Sequence, residues 1–128
     1  MRIIKFRGLI MFSGHGNGFV YGLMFIQQQK TMIRWMHNPL TNDYTDIEVK
    51  PESVGQYTGL QDENGVDLYE NDYVTYYNPH SKETYNHIIK WSDDFACFAL
   101  YEKGNEFVKE FDWVKIENIK LIGNIHQS

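Results

Sequence analysis

The stretch VGQYTGLQDENGVDLYENDYV, residues 54–74, decides the fold class. Within it Asp62-Glu63-Asn64-Gly65 is turn chemistry, because Asn and Gly both tolerate positive φ. Residues 57–61 and 66–69 are therefore expected to be joined as a hairpin or tight loop. Glu70-Asn71-Asp72 is a second reversal, and residues 73–77 resume a strand pattern. Towards the C-terminus, residues 86–91, 95–102 and 106–114 read as further strands, separated by Asn78-Pro79-His80-Ser81, Ser92-Asp93-Asp94 and Lys103-Gly104-Asn105. Residues 116–125 place apolar side chains at 116, 119, 121, 122 and 125, a spacing that fits one helical turn or a closing strand. Towards the N-terminus, residues 2–12 read as a first strand and residues 13–18, with three glycines, as a loop. Residues 19–27 are apolar on both faces, which predicts a central strand, and residues 32–36 are a candidate hairpin partner. Residues 38–46 read as polar loop, 46–50 as a short strand, and 51–54 as one helical turn with Pro51 at its first position.

Composition points the same way. Ile, Val, Thr and the aromatics make up 45 of the 128 residues, against two alanines and seven leucines, proportions that favour strands over helices. The expected architecture is mostly β: a small barrel or a two-sheet sandwich of short antiparallel strands with little helix, forming one domain over residues 1–128. Charge is uneven. Residues 1–50 hold six basic and three acidic side chains, while residues 51–128 hold six and fourteen, giving a basic first segment and an acidic, motif-bearing second one. That imbalance is consistent with a solvated acidic face, or with an acidic surface that receives the first segment within a subunit or between subunits. The longest apolar run, residues 19–26, is far short of the roughly 20 residues that cross a bilayer, and no signal peptide is expected. A lone cysteine, Cys97, fits a reducing cytoplasm.

Taken as an ordered set, Lys5-Phe6-Arg7-Gly8, Gly18-Phe19-Val20-Tyr21-Gly22, residues 54–60, Asp62-Glu63-Asn64-Gly65, residues 68–74 and Ile122-Gly123-Asn124-Ile125 resemble the YopX family of small phage and prophage proteins. The resemblance spans nearly the whole chain, and residues 54–74 are its specific part. It implies a barrel-like or sandwich β fold, a phage or prophage setting in a bacterial cytoplasm, and no established biochemical activity; it brings no catalytic residues. Phe19 stands where the family pattern usually has Trp, Asn71 where it has Gly, and His126-Gln127 where it has Tyr-Glu. Asn71 makes physical sense at a left-handed turn position.

No catalytic or metal constellation emerges from the spacing. Histidines stand at 15, 37, 80, 87 and 126 without an HExxH or CxxC pattern, so neither metal nor cofactor is expected. His80 and His87 could converge across a loop, but ordinary loop and strand-face roles explain them. Cys97, in the run Phe95-Ala96-Cys97-Phe98-Ala99-Leu100, is expected to pack rather than react. Glycines 14, 16 and 18 lack the remaining spacing of a phosphate loop. The acidic set Asp62, Glu63, Asp67, Glu70 and Asp72 fails the calcium-loop test, since positions six and twelve fall on Asp67 and Tyr73; turn-stabilising carboxylates are the expected role.

The chain carries twenty aromatic residues, more than one small core needs. Tyr73, Tyr76, Tyr77, Tyr85 and Trp91 fall on neighbouring predicted strands and are the expected binding residues. The functional expectation is a non-enzymatic protein that binds another protein or itself. The alternative is a regulator that stacks single-stranded nucleic acid on these rings, with Lys82, Arg34 and Lys90 supplying cations; the net charge of −5 opposes it.

Overall fold

The computed structural model describes residues 4–11, 18–38, 40–78, 82–93, 96–102, 107–110 and 119–124. The strands pair in two antiparallel sheets, and neither closes on itself among the described residues, so the chain takes the two-sheet form of the expected architecture and not the barrel. Contacts divide the chain into two compact units, Met1–Tyr57 and Thr58–Ser128.

The first unit holds β1 (Phe6–Leu9), β2 (Phe19–Gln27), β3 (Lys30–Asn38) and β4 (Asp43–Glu48), in the order β4-β3-β2-β1. The first residues of β5 (Gly55–Gln61) continue the sheet beside β1 through Phe6 opposite Gln56 and Arg7 opposite Gly55. Strand β4 begins inside the segment expected to be a polar loop, because Tyr44 and Thr45 pair with Met36 and Trp35 of β3. Residues directly opposed across an antiparallel pair share a face. That rule puts Val20, Ile33 and Ile47 on one side, where with Val49 they form the core of this unit, flanked by Phe6, Ile10 and Val54. After β4 comes a single 3₁₀ turn, Pro51–Ser53, as Pro51 predicted. Its buried Ser53 hydroxyl accepts from the Leu9 amide at 2.8 Å and donates to the Lys50 carbonyl at 2.6 Å, tying the turn to β1.

The β2–β3 reversal is a two-residue turn in which Gln28 and Gln29 both have positive φ, 51° and 66°. Hairpins favour that twist, yet glutamine does not; a left-handed non-glycine residue costs about 1–2 kcal/mol. The double substitution Gln28→Asn with Gln29→Gly is expected to stabilise the first unit by about 1–2 kcal/mol. Urea unfolding followed by tryptophan fluorescence would check it, and a lower midpoint in the variant would contradict this account of the turn.

The second unit holds the rest of β5, β6 (Asp67–Tyr69), β7 (Asp72–Asn78), β8 (Glu83–Ser92), β9 (Cys97–Tyr101), β10 (Phe107–Glu110) and β11 (Lys120–Asn124); the last five form a sheet in the order β10-β9-β8-β7-β11. The expected β5–β6 hairpin is present, and Asn71 takes φ 76° at the second reversal. Residues 120–124, ambiguous in sequence, form a strand because they pair with β7. Leu68, Val74, Tyr76, Ile89, Phe98, Leu100 and Ile119 make the core of this unit. Asp62 fixes its first turn: one carboxylate oxygen accepts from the Asn64 and Val66 amides at 2.8 and 2.9 Å, and the other accepts from the Leu121 amide of β11 at 3.0 Å. The carboxylate thus serves as the expected turn stabiliser and also joins the hairpin to the second sheet. The loop at residues 13–17, His80, Asp94, Phe95, the Lys103-Gly104-Asn105 turn and His126 lie outside the described residues.

Candidate functional site

Strand alternation divides the five expected binding residues. On β7 and β8, Tyr76 is opposite Tyr85, Tyr73 opposite Ile88 and Tyr77 opposite Thr84. Tyr76, Tyr85 and Trp91 therefore share the core-facing side, while Tyr73 and Tyr77 lie on the other. Tyr76 is buried in the core, Tyr85 packs against it, and Trp91 sets its ring edge-on to Phe98 at 5.2 Å. Of the five, Tyr77 and Trp91 are the large exposed side chains, at 42% each, and they face opposite ways. These five rings form no single patch.

Tyr76 instead belongs to a polar chain inside the second unit. His87, 3% exposed, stands within 2.8 Å of the Tyr76 hydroxyl through Nδ1 and within 3.0 Å of Glu102 through Nε2. In the neutral ring, Nε2–H donates to the Glu102 carboxylate and Nδ1 accepts from the phenol. Tyr85 lies nearly parallel to the imidazole with 5.8 Å between centroids, and its hydroxyl donates to Glu83. Burial, then the neighbouring Tyr85 and Glu102, pushes the Tyr76 phenol up to about 12, so at neutral pH it is a hydrogen-bond donor. Beside this chain is a cleft of about 280 Å³ lined by Tyr73, Asn86, His87 and Ile88. Cys97 is half-buried. Among the described residues no three His, Cys, Asp or Glu side chains converge as metal ligands, and no helix is long and apolar enough to cross a membrane.

The largest accumulation of exposed apolar surface among the described residues is on the β2–β3 hairpin of the first unit. Its core-facing side runs past the core and presents Met24, Ile26 and Trp35 at 36%, 71% and 47% exposure. The opposite side presents Tyr21, Leu23 and, from β4, Tyr44 at 47%, 55% and 44%. A hairpin apolar on both faces was legible in residues 19–27, but that pattern reads as a strand covered on both sides.

Arg34 organises the second of those faces. Its guanidinium forks onto Asp46 at 2.8 and 3.1 Å, lies 4.0 Å over the Tyr44 ring and 5.1 Å from that of Phe25. The fork holds the Asp46 carboxyl below its usual range. The rings are thereby held flat beside a charge, which suits docking, since little side-chain freedom remains to be lost. On the other face Trp35 stacks obliquely on His37 at 4.3 Å, and His37 contacts the Thr45 hydroxyl at 2.6 Å.

A family model described as YopX protein matches residues 10–128. No curated protein matches the sequence.

Proposed function

The chain belongs to the YopX family, and from that premise we propose that it is a non-enzymatic protein-interaction module whose contact surface is the β2–β3 hairpin. The observation that carries this reading is the exposure of Tyr21, Leu23, Ile26 and Trp35 on one two-stranded element. Isolated apolar side chains on a surface need no explanation, but a contiguous group on both faces of a hairpin marks an interaction site. The family resemblance supports a phage or prophage origin, and the lone thiol supports a reducing bacterial cytoplasm.

One observation favours nucleic acid as the runner-up. Residues 19–38 contain Lys30 and Arg34 and no carboxylate, which places cations beside rings as single-strand stacking requires. Against it stands the acidic chain as a whole.

A photoreactive amino acid at position 26, introduced in producing cells, distinguishes the two. Irradiation is expected to join the hairpin to a polypeptide, either this chain or another. Crosslinks to nucleic acid alone would favour the runner-up, and recovery of the chain without any adduct would overturn the docking role.

A further inference from the structure

We propose that Asn64 is a self-modification site: its side chain condenses with the following backbone amide when the β5–β6 turn opens, and the product unfastens that turn from β11. The site belongs to the second unit, and nothing in it depends on what the β2–β3 hairpin binds. Its chemistry lies in the dipeptide Asn64-Gly65, whose two residues are both exposed. Glycine has no Cβ to shield its amide nitrogen from a neighbouring side chain. The space around Gly65 is open as well, since even an added Cβ would meet nothing within 4 Å. In the reaction the Gly65 nitrogen attacks Cγ of Asn64; an N–Cγ bond forms, the Cγ–Nδ2 bond breaks, and ammonia leaves with the amide proton. Water then opens the resulting cyclic imide at either carbonyl. One opening gives aspartate. The other gives isoaspartate, in which the main chain runs through the former side chain and is longer by one methylene group. Nothing is oxidised or reduced, and water is the only co-reactant.

In the closed turn the nucleophile is occupied. The Gly65 amide donates to the Asp62 carbonyl oxygen at 3.0 Å, and the Asn64 and Val66 amides on either side of it donate to the Asp62 carboxylate at 2.8 and 2.9 Å. One residue thus holds three successive amides, and the reaction waits for local opening of the turn. Asp62 also carries the consequence. A methylene group inserted between Asn64 and Gly65 displaces Val66 from the carboxylate, and the acid formed at position 64 adds a like charge beside Asp62 and Glu63. The other oxygen of Asp62 accepts from the Leu121 amide of β11 at 3.0 Å, and the Glu63 amide donates to the Ile119 carbonyl at 2.9 Å. Both of these bonds to the chain entering β11 leave from the residues that the reaction disturbs, and Ile119 is part of the core of the unit. Because the amide is not restored, a brief opening becomes a lasting one, which makes the turn a timer of the protein's age.

Peptide mapping by mass spectrometry of the purified full chain, aged at neutral pH, tests this by following Asn64 from amide to acid and the share of isoaspartate formed. Wild type is expected to accumulate isoaspartate at position 64, and more slowly than the same chain unfolded in urea, where nothing holds the turn. Asp62→Ala is expected to speed the conversion on the order of tenfold, because loss of its amide bonds raises the population of the open turn. Hydrogen exchange is expected to show protection lost at the Leu121 amide in aged wild type and kept in Asn64→Ser aged beside it. Circular dichroism confirms that each variant folds. Asp62→Asn, which keeps an acceptor oxygen, replaces the alanine variant should that one unfold, and it too is expected to convert faster than wild type. A folded wild type in which Asn64 stays an amide while the unfolded chain converts overturns the proposal. So does a folded Asp62 variant that converts no faster than wild type, or a converted chain whose Leu121 amide stays protected.

Discussion

Gly22→Ala is expected to destabilise the first unit by about 3 kcal/mol or more, the largest loss from any single added methyl group there. Gly22 stands in β2 opposite Phe6 of β1, and a Cβ at this position would overlap the Arg34 carbonyl oxygen of β3 and come within 2.9 Å of its carbonyl carbon. Both are backbone atoms in the sheet, so no side-chain rotation relieves the clash, and strand β2 would have to leave its register with β3. Gly18→Ala is the control, since a methyl group there meets nothing within 4 Å. Urea unfolding with hydrogen exchange as a second readout would show early loss of protection in β1, β2 and β3 for Gly22→Ala and a near wild-type midpoint for the control. Equal midpoints for the two variants would sink the claim that close strand approach selects glycine at position 22.

Removing the Asp62 carboxylate should cost the second unit nearly as much. Asp62→Ala leaves three backbone amides, those of Asn64, Val66 and Leu121, without their acceptor, at a cost of about 3 kcal/mol. Acid dependence gives an independent check. Burial pushes this carboxyl up, but the three amide bonds pull it down further, so its native pKa is lowered. A carboxylate with a lowered native pKa contributes its full stabilisation above the unfolded value of about 4, and that contribution is lost as pH falls through the lower native value. Thermal unfolding between roughly pH 7 and pH 2 should therefore show a steeper acid loss for wild type than for Asp62→Ala below about pH 4. Parallel curves would mean that the carboxylate does not hold the turn.

Much of the second unit was legible because its reversals are written in residues with few alternatives. Asn64-Gly65 and Asn71 announce positive φ, and the structure has Gly65 at 80° and Asn71 at 76°. The β2–β3 turn is different. Gln28 and Gln29 carry no turn signal, and their left-handed conformation is imposed by pairing of the flanking strands, Gln27 opposite Lys30. The proposed contact surface was harder still. Tyrosine is at home in a core or on a surface, so alternation alone could not tell that Tyr76 lies inside and Tyr77 outside. Periodicity reports which side chains share a face; it does not report what covers that face. Residues 19–27 show this, being apolar on both sides and exposed on both.

Among the described residues strand β4 ends its sheet, and its outer rim is where a further chain could add indefinitely. Asp43, Asp46 and Glu48 occupy three of its six positions, spread over its length. A fibril growing from that rim would stack these carboxylates at about 4.8 Å repeats, with each new layer repelling the last. The rim is thus guarded against cross-β growth, and replacing Asp43 and Glu48 by their amides should hasten aggregation before it changes how the chain folds.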